Sequence, residues 1–174
     1  MSVKTANRTL DMAAEAGYTG LVVDHAWSTQ GNLRRVHEQG GFVAAFAWPA
    51  DSTENFETGF LEQWRTNTAG ATRPFNGYGF GSDVNGLAHL ADARPTAATD
   101  PLVYPFTALS GEVMDRWRFG ERLYDLNVDG VAQYGLYADW AADVVQRAGA
   151  DGPELERQLM NGAEEWTANW ERAR

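Results

Sequence analysis

The chain is 174 residues long, and its 44% hydrophobic and 22% charged composition is ordinary for one soluble globular domain. Its 14 Lys and Arg stand against 24 Asp and Glu, a net charge of −10 that weighs against nucleic acid and anionic membrane surfaces, which both require clustered cations. The absence of cysteine excludes disulfides, thiolate metal ligands and thiol nucleophiles. Residues 1–9 are polar and carry no signal-peptide pattern. No apolar run approaches the ~20 residues of a membrane span, so a cytoplasmic location is the default expectation.

In chain order, Ala6, Leu10, Ala13 and Ala14 recur at helical spacing over 3–16, with Gly17 as the stop. The apolar, β-branched run at 20–25 reads as a buried strand. Its polar end, Asp24-His25-Ala26-Trp27, leads into Ser28 and Thr29, good caps for a second helix that carries Leu33 and Val36 and stops at Gly40-Gly41. Residues 42–47 read as a second strand, ended by Trp48-Pro49. Thr53, Phe56, Phe60, Leu61 and Trp64 predict a third helix with one apolar face. A glycine-rich strand follows, in which Gly77, Gly79 and Gly81 alternate with Tyr78, Phe80 and Ser82 before the turn formers Asp83, Asn85 and Gly86. Glycine weakens a strand interior and marks a place where something approaches closely. The stretch therefore reads either as a ligand site or as a strand with an ordinary Asx turn. The order α-β-α-β-α-β predicts parallel strands joined by right-handed crossovers.

Beyond residue 87 the pattern changes. Residues 88–110, rich in Ala, Pro, Thr and Asp, predict a long loop, with a short helix near 87–93. Residues 112–126 mix charge with Met114, Trp117, Phe119 and Tyr124; 131–148 predict a helix with Trp140, Val144 and Ala148 on one face. Asp151 and Pro153 open a last helix whose apolar stripe is Leu155, Leu159, Trp166 and Trp170. The whole of 1–174 reads as one domain.

Few residues can carry chemistry. His37 sits beside Val36 on a helix and reads as structural, and His89 as a solvated loop residue. His25 ends a strand as Asp83 does, and in a parallel sheet both belong to the C-terminal edge where α/β proteins place their chemistry. Imidazole plus carboxylate suits Zn²⁺ or a similar divalent ion, although His25 reads equally as a structural histidine. The Gly-x-Gly-x-Gly pattern matches neither the dinucleotide fingerprint nor a P-loop, and no Gly-x-Ser-x-Gly elbow is present. Between 116 and 129, like charges fall at helical i,i+4 spacing, as in Arg118/Arg122 and Glu121/Asp125, which makes a poor solvated helix face. Arg116 and Arg118 then either bind a substrate carboxylate or pair with neighbouring loops.

These residues carry a resemblance. Gly81-Ser-Asp83-Val-Asn-Gly86 resembles the Gly-Ser-Asp-Phe-Asp-Gly turn of membrane-dipeptidase-like enzymes of the metal-dependent hydrolase (amidohydrolase) superfamily. Asp24-His25-Ala26-Trp27-Ser28, residues 81–87 and Asp129-Gly-Val-Ala-Gln-Tyr-Gly-Leu136 look like the C-terminal half of bacterial proteins of that barrel type. The resemblance implies an α/β fold, a parallel-stranded partial (half) TIM-type βα barrel with additional C-terminal helices. It implies His25 as a metal ligand and Asp83 as catalytic base or further ligand, a divalent metal such as Zn²⁺ as cofactor, and hydrolysis of amide, peptide or related bonds in a small-molecule or peptide-like substrate. Trp27, Asn85, Arg116 and Arg118 are the candidate substrate-binding residues. Three departures accompany it: Gln133 stands where the family segment has His, residues 46–48 offer no second His, and the family's His-x-His or His-x-Asp pair is absent. A missing N-terminal half or a second chain is then expected to complete the barrel. The competing expectation is a non-catalytic module that uses Trp27, Trp48, Tyr78 and Phe80 to bind a carbohydrate or small apolar ligand.

Overall fold

A computed structural model describes residues 2–3, 7–18, 23–25, 30–38, 40–51, 59–71, 76–82 and 90–172. The chain is of mixed α/β class and divides into two compact units, one of Met1–Phe46, Gln63–Gly81 and Arg157–Arg174, the other of Ala47–Glu62 and Ser82–Glu156.

The first unit is built on a four-stranded parallel sheet of order β1-β2-β3-β4. Its strands are β1 (Ser2–Val3), β2 (Val23–His25), β3 (Phe42–Phe46) and β4 (Gly79–Gly81). The sequence predicts three of them. β1 is only two residues long, too short to give a period-two signal. Helix α1 (Asn7–Glu15) buries Leu10 and Ala13, and α2 (Gln30–Glu38) buries Val36 and His37. Both end as the sequence indicates, on Gly17 (φ 63°) and Gly40 (φ 71°), left-handed positions at which the last turn's carbonyls are recovered. Tyr18 N donates to Ala13 O at 2.9 Å and Gly41 N to Val36 O at 2.8 Å.

Helix α3 (Phe60–Ala69) buries Trp64, whose indole N–H donates to Gln158 Oε1 at 2.8 Å. The single C-terminal helix expected from the sequence is two, α6 (Gly152–Met160) and α7 (Gly162–Arg172), interrupted at Asn161. A Cβ at Gly162 would stand only 3.0 Å from Tyr78 O, so the junction seats directly on the backbone leading into β4. Tyr78 N donates to Gln158 O at 2.8 Å, and the buried Glu165 carboxylate accepts from Asn76 N and from Asn169 and Arg172. Trp166 packs edge-on against Phe42 (5.7 Å between centroids), while its other side, like that of Trp170, stays exposed. Tyr78 turns the opposite way and its hydroxyl bonds Asn67 of α3. Because successive residues of an extended chain point to opposite faces, α3 and α7 cover opposite faces of this stretch.

The second unit packs α5 (Tyr137–Ala148) and the start of α6 around Leu136, Trp140, Val144 and Leu155, all buried. Phe60 meets Trp140 edge-on at 4.8 Å, and the Trp140 indole N–H donates to Trp48 O at 2.8 Å. The predicted loop is irregular over 90–105, and positions 90–93 are not helical; 87–89 lie outside the described residues. Polar side chains satisfy its backbone. Asn127 bonds both N and O of Leu102, at 2.8 and 3.0 Å, and the buried Arg94 bonds Asp100 O and Thr96. The charged stretch that reads poorly as a helix is a hairpin, β7 (Trp117–Phe119) against β8 (Arg122–Tyr124), turned at Gly120 (φ 58°). In that register Arg118 faces Leu123 and Arg122 faces Phe119, so the i,i+4 repulsions of a helix do not arise. A second antiparallel pair, β5 (Phe106–Thr107) with β6 (Val113–Met114), precedes it, and α4 (Leu126–Asp129) follows. The described residues thus form one small parallel and two small antiparallel sheets, with no closed barrel among them.

Candidate functional site

His25 is the last residue of β2, and the register sets it level with Ala44 of β3 and Gly79 of β4. β4 ends at Gly81, level with Phe46, two positions before Asp83 in the chain. Asp83, Asn85, Trp27 and His89 lie outside the described residues, and His25 is described by its backbone alone. β3 ends on Phe46, followed by Ala47, and neither side chain supplies a ligand atom. Among the described residues no group of three or more His, Asp or Glu could hold a metal ion. The two donor types that the sequence reading offers, the imidazole of His25 and the carboxylate of Asp83, suit a divalent cation. Their number, two, is short of the three protein ligands of a catalytic zinc site.

The glycines have a different explanation from the ligand approach that the sequence suggests. A Cβ at Gly77 would lie 2.5 Å from the carbonyl carbon of Asn161 and 2.8 Å from Glu165 Cβ; at Gly79 it would lie 2.6 Å from the Phe42 ring and 3.1 Å from Ala44 Cβ. What approaches this strand closely is the chain's own α6–α7 junction and Phe42. The second of these contacts falls on the row of Gly79, the same row on which His25 ends β2. Tyr78, expected at a ligand surface, is fully buried with its hydroxyl spent on Asn67; Phe80 is half-exposed.

Arg116 and Arg118 belong to the second unit and take different parts. Arg116 Nε donates to Asp125 Oδ2 at 2.6 Å, and its guanidinium lies 4.6 Å from the centre of the Tyr104 ring. Asp125 also caps α4 through Asn127 N at 2.9 Å. Burial pushes its carboxyl up, but the bonds from Arg116 and Asn127 outweigh this and hold it below the usual carboxylate range. Arg116 is therefore paired to a neighbouring loop. Arg118 is exposed and has no partner among the described residues.

The segment 129–136 is a folding signature in this structure. Gly130 (φ 60°) leaves no room for a side chain, since a Cβ would lie 2.6 Å from Ala93 N, and Val131 N donates to Ala91 O at 2.8 Å. Gln133 accepts from Gly135 N at 2.6 Å and caps a short 3₁₀ turn.

Two polar clusters on α5 escape a reading of the sequence. The Tyr104 hydroxyl donates to Asp139 Oδ1 at 2.5 Å and accepts from Leu126 N at 3.2 Å. Burial raises the Asp139 carboxyl above its ordinary value, against the opposing Tyr104 hydrogen bond, and burial together with Asp139 raises the Tyr104 hydroxyl. One turn on, Asp143 is buried between Arg94 Nε (3.0 Å) and Arg147 Nε (3.3 Å), and Arg147 also reaches Asp100. The available signal is Asp139 and Asp143 at i,i+4 spacing beside Trp140 and Val144, acids placed on an apolar face. With both lone-pair and proton of Tyr104 engaged, these clusters clamp the 94–105 segment to α5 rather than offer a group to a substrate.

No helix among the described residues is long and apolar enough to cross a membrane. Comparison with protein-family models, curated proteins and solved structures finds no match to this chain.

Proposed function

We propose that the chain is a hydrolase-like α/β protein of partial βα-barrel type, in which His25 and Asp83 at the C-terminal strand edge supply part of a divalent-metal site. The observation that carries this reading is the sheet itself: parallel strands in the order β1-β2-β3-β4, with His25 ending one and Gly81 ending another, two positions before Asp83 in the sequence. The C-terminal strand edge is where proteins of this architecture do their chemistry. A bound divalent ion supplies Lewis acidity for hydrolysis of amide or related bonds. Asp83 is the residue of this chain that holds or accepts the proton of an attacking water. With two donors the site is incomplete, so the remaining ligands come from positions outside those described or from another chain.

The test is metal content after loading with Zn²⁺ and exhaustive dialysis, in the unmodified chain and in His25→Ala and Asp83→Asn. Retention in the unmodified chain and loss in both variants supports the proposal. Equal content in all three, at any level, removes its basis.

A further inference from the structure

The second unit carries a feature that the strand edge does not use. In the β7–β8 hairpin the direct cross-strand pairs are Trp117 with Tyr124 and Phe119 with Arg122, so these four side chains share one face. That face is open to solvent: Trp117 is 45% and Phe119 74% exposed. Large apolar side chains grouped in water mark an interaction surface. The same Arg122 and Tyr124 line a groove of about 350 Å³, together with Leu90, Val131, Asp92 and Asp129. The volume lies at the lower end of the range for small-molecule sites and accepts one ring-sized group.

The surface is held rigidly. Arg122 lies 4.4 Å from the centre of the Tyr124 ring and bonds Asp129 Oδ1 at 3.2 Å, while Asp129 Oδ2 accepts from Asp125 N at 2.9 Å. Arg116 and Asp125 close the open end of the hairpin. A preorganised surface loses little freedom on binding.

We propose that this groove and the aromatic face continuous with it bind a neutral oligosaccharide chain. One sugar ring occupies the groove, and the following units lie over Trp117 and Phe119. The charges decide for a neutral ligand. An anion entering the groove meets Asp92 and Asp129, and a cation meets Arg122, whereas sugar hydroxyls can donate to the carboxylates and accept from the guanidinium. The apolar C–H faces of pyranose rings match the exposed aromatic rings, which offer large area at low conformational cost. Nucleic acid is disfavoured by the net charge of −10. The proposal is independent of the metal site and does not involve His25 or Asp83.

The experiment is isothermal titration of the full chain with neutral linear hexasaccharides of glucose, N-acetylglucosamine, mannose and xylose, and with a heparin hexasaccharide. We expect at least one neutral probe to bind, unaffected by EDTA or by His25→Ala. Trp117→Ala and Phe119→Ala should each weaken it roughly tenfold. Both residues are solvent-exposed, and unchanged thermal melts verify that the variants fold. Absence of binding by every neutral probe at millimolar concentration overturns the proposal, as does binding that both substitutions leave intact. Preference for heparin, lost in Arg118→Glu, would make the surface an anion site instead. Sedimentation showing a dimer that Trp117→Ala dissociates would make it an assembly face.

Discussion

Replacing Gly77 with alanine tests whether the glycine-rich strand serves packing or a ligand. The added Cβ would lie 2.5 Å from the Asn161 carbonyl carbon and nearer still to its oxygen, and ordinary contact begins at 3.4 Å, so the α6–α7 junction must retreat by more than about 0.9 Å. Asn161 is not free to do so, because its carbonyl accepts from Glu165 N at 3.0 Å in the first turn of α7, and the neighbouring Gln158 O holds Tyr78 N. Overpacking of this kind costs about 1–3 kcal/mol, and each backbone hydrogen bond lost adds about 1 kcal/mol. With one to two bonds lost, the sum is about 2–5 kcal/mol. At 2–4 °C per kcal/mol for a chain of this size, Tm should fall by roughly 10 °C in differential scanning calorimetry. Gly79→Ala is the internal control. Its nearest neighbour is the far end of the Phe42 side chain rather than backbone, so the loss should be nearer ~1 kcal/mol. A Gly77→Ala protein melting within about 1 °C of the unmodified chain would refute the packing argument.

Asp143→Asn should cost about 3 kcal/mol, measured by urea unfolding, because it leaves the buried Arg94 guanidinium without its closest carboxylate; a loss under ~1 kcal/mol would mean that Asp51, 3.6 Å away, takes over. Asp139 has a folded-state pKa above its unfolded value, so its contribution to stability is full below the unfolded value of about 4 and is lost as pH rises through the raised one. Asp139→Asn should therefore compare progressively better with the unmodified chain as pH increases from 4 to 7, and a difference independent of pH would show that Asp139 does not titrate in this window. Asp125→Ala removes the α4 cap and the Arg116 partner together. It should cost about 1 kcal/mol at pH 7, and less as pH falls through its depressed folded value.

Much of the first unit is legible in its sequence. The stops at Gly17 and Gly40 and the apolar runs of β2 and β3 follow from local rules, since a positive φ or a short continuous apolar run leaves few alternatives. So do the buried faces of α1 to α3. β1 is not legible at two residues, nor is the break at Asn161, where the amphipathic period continues from Leu155 to Trp170 and only the backbone at Tyr78 forces two helices. At the candidate site, the sequence supplies the proposal of His25 and Asp83, and the tertiary structure adds that β2, β3 and β4 pair in parallel with His25 level with Gly79.

What the sequence determines by itself is the α/β class, the parallel sense of the first unit's strands, and the exclusion of thiol and dinucleotide chemistry, because these depend on composition and short-range pattern. Only the tertiary structure decides what the glycines are for, because a residue distant in sequence, Asn161, occupies the space that Gly77 leaves. The same holds for the charges of 116–129. Read along the chain they repel at helical spacing; folded as a hairpin, Arg116 finds Asp125 across the turn, and Arg122 finds Asp129 of the following helix α4.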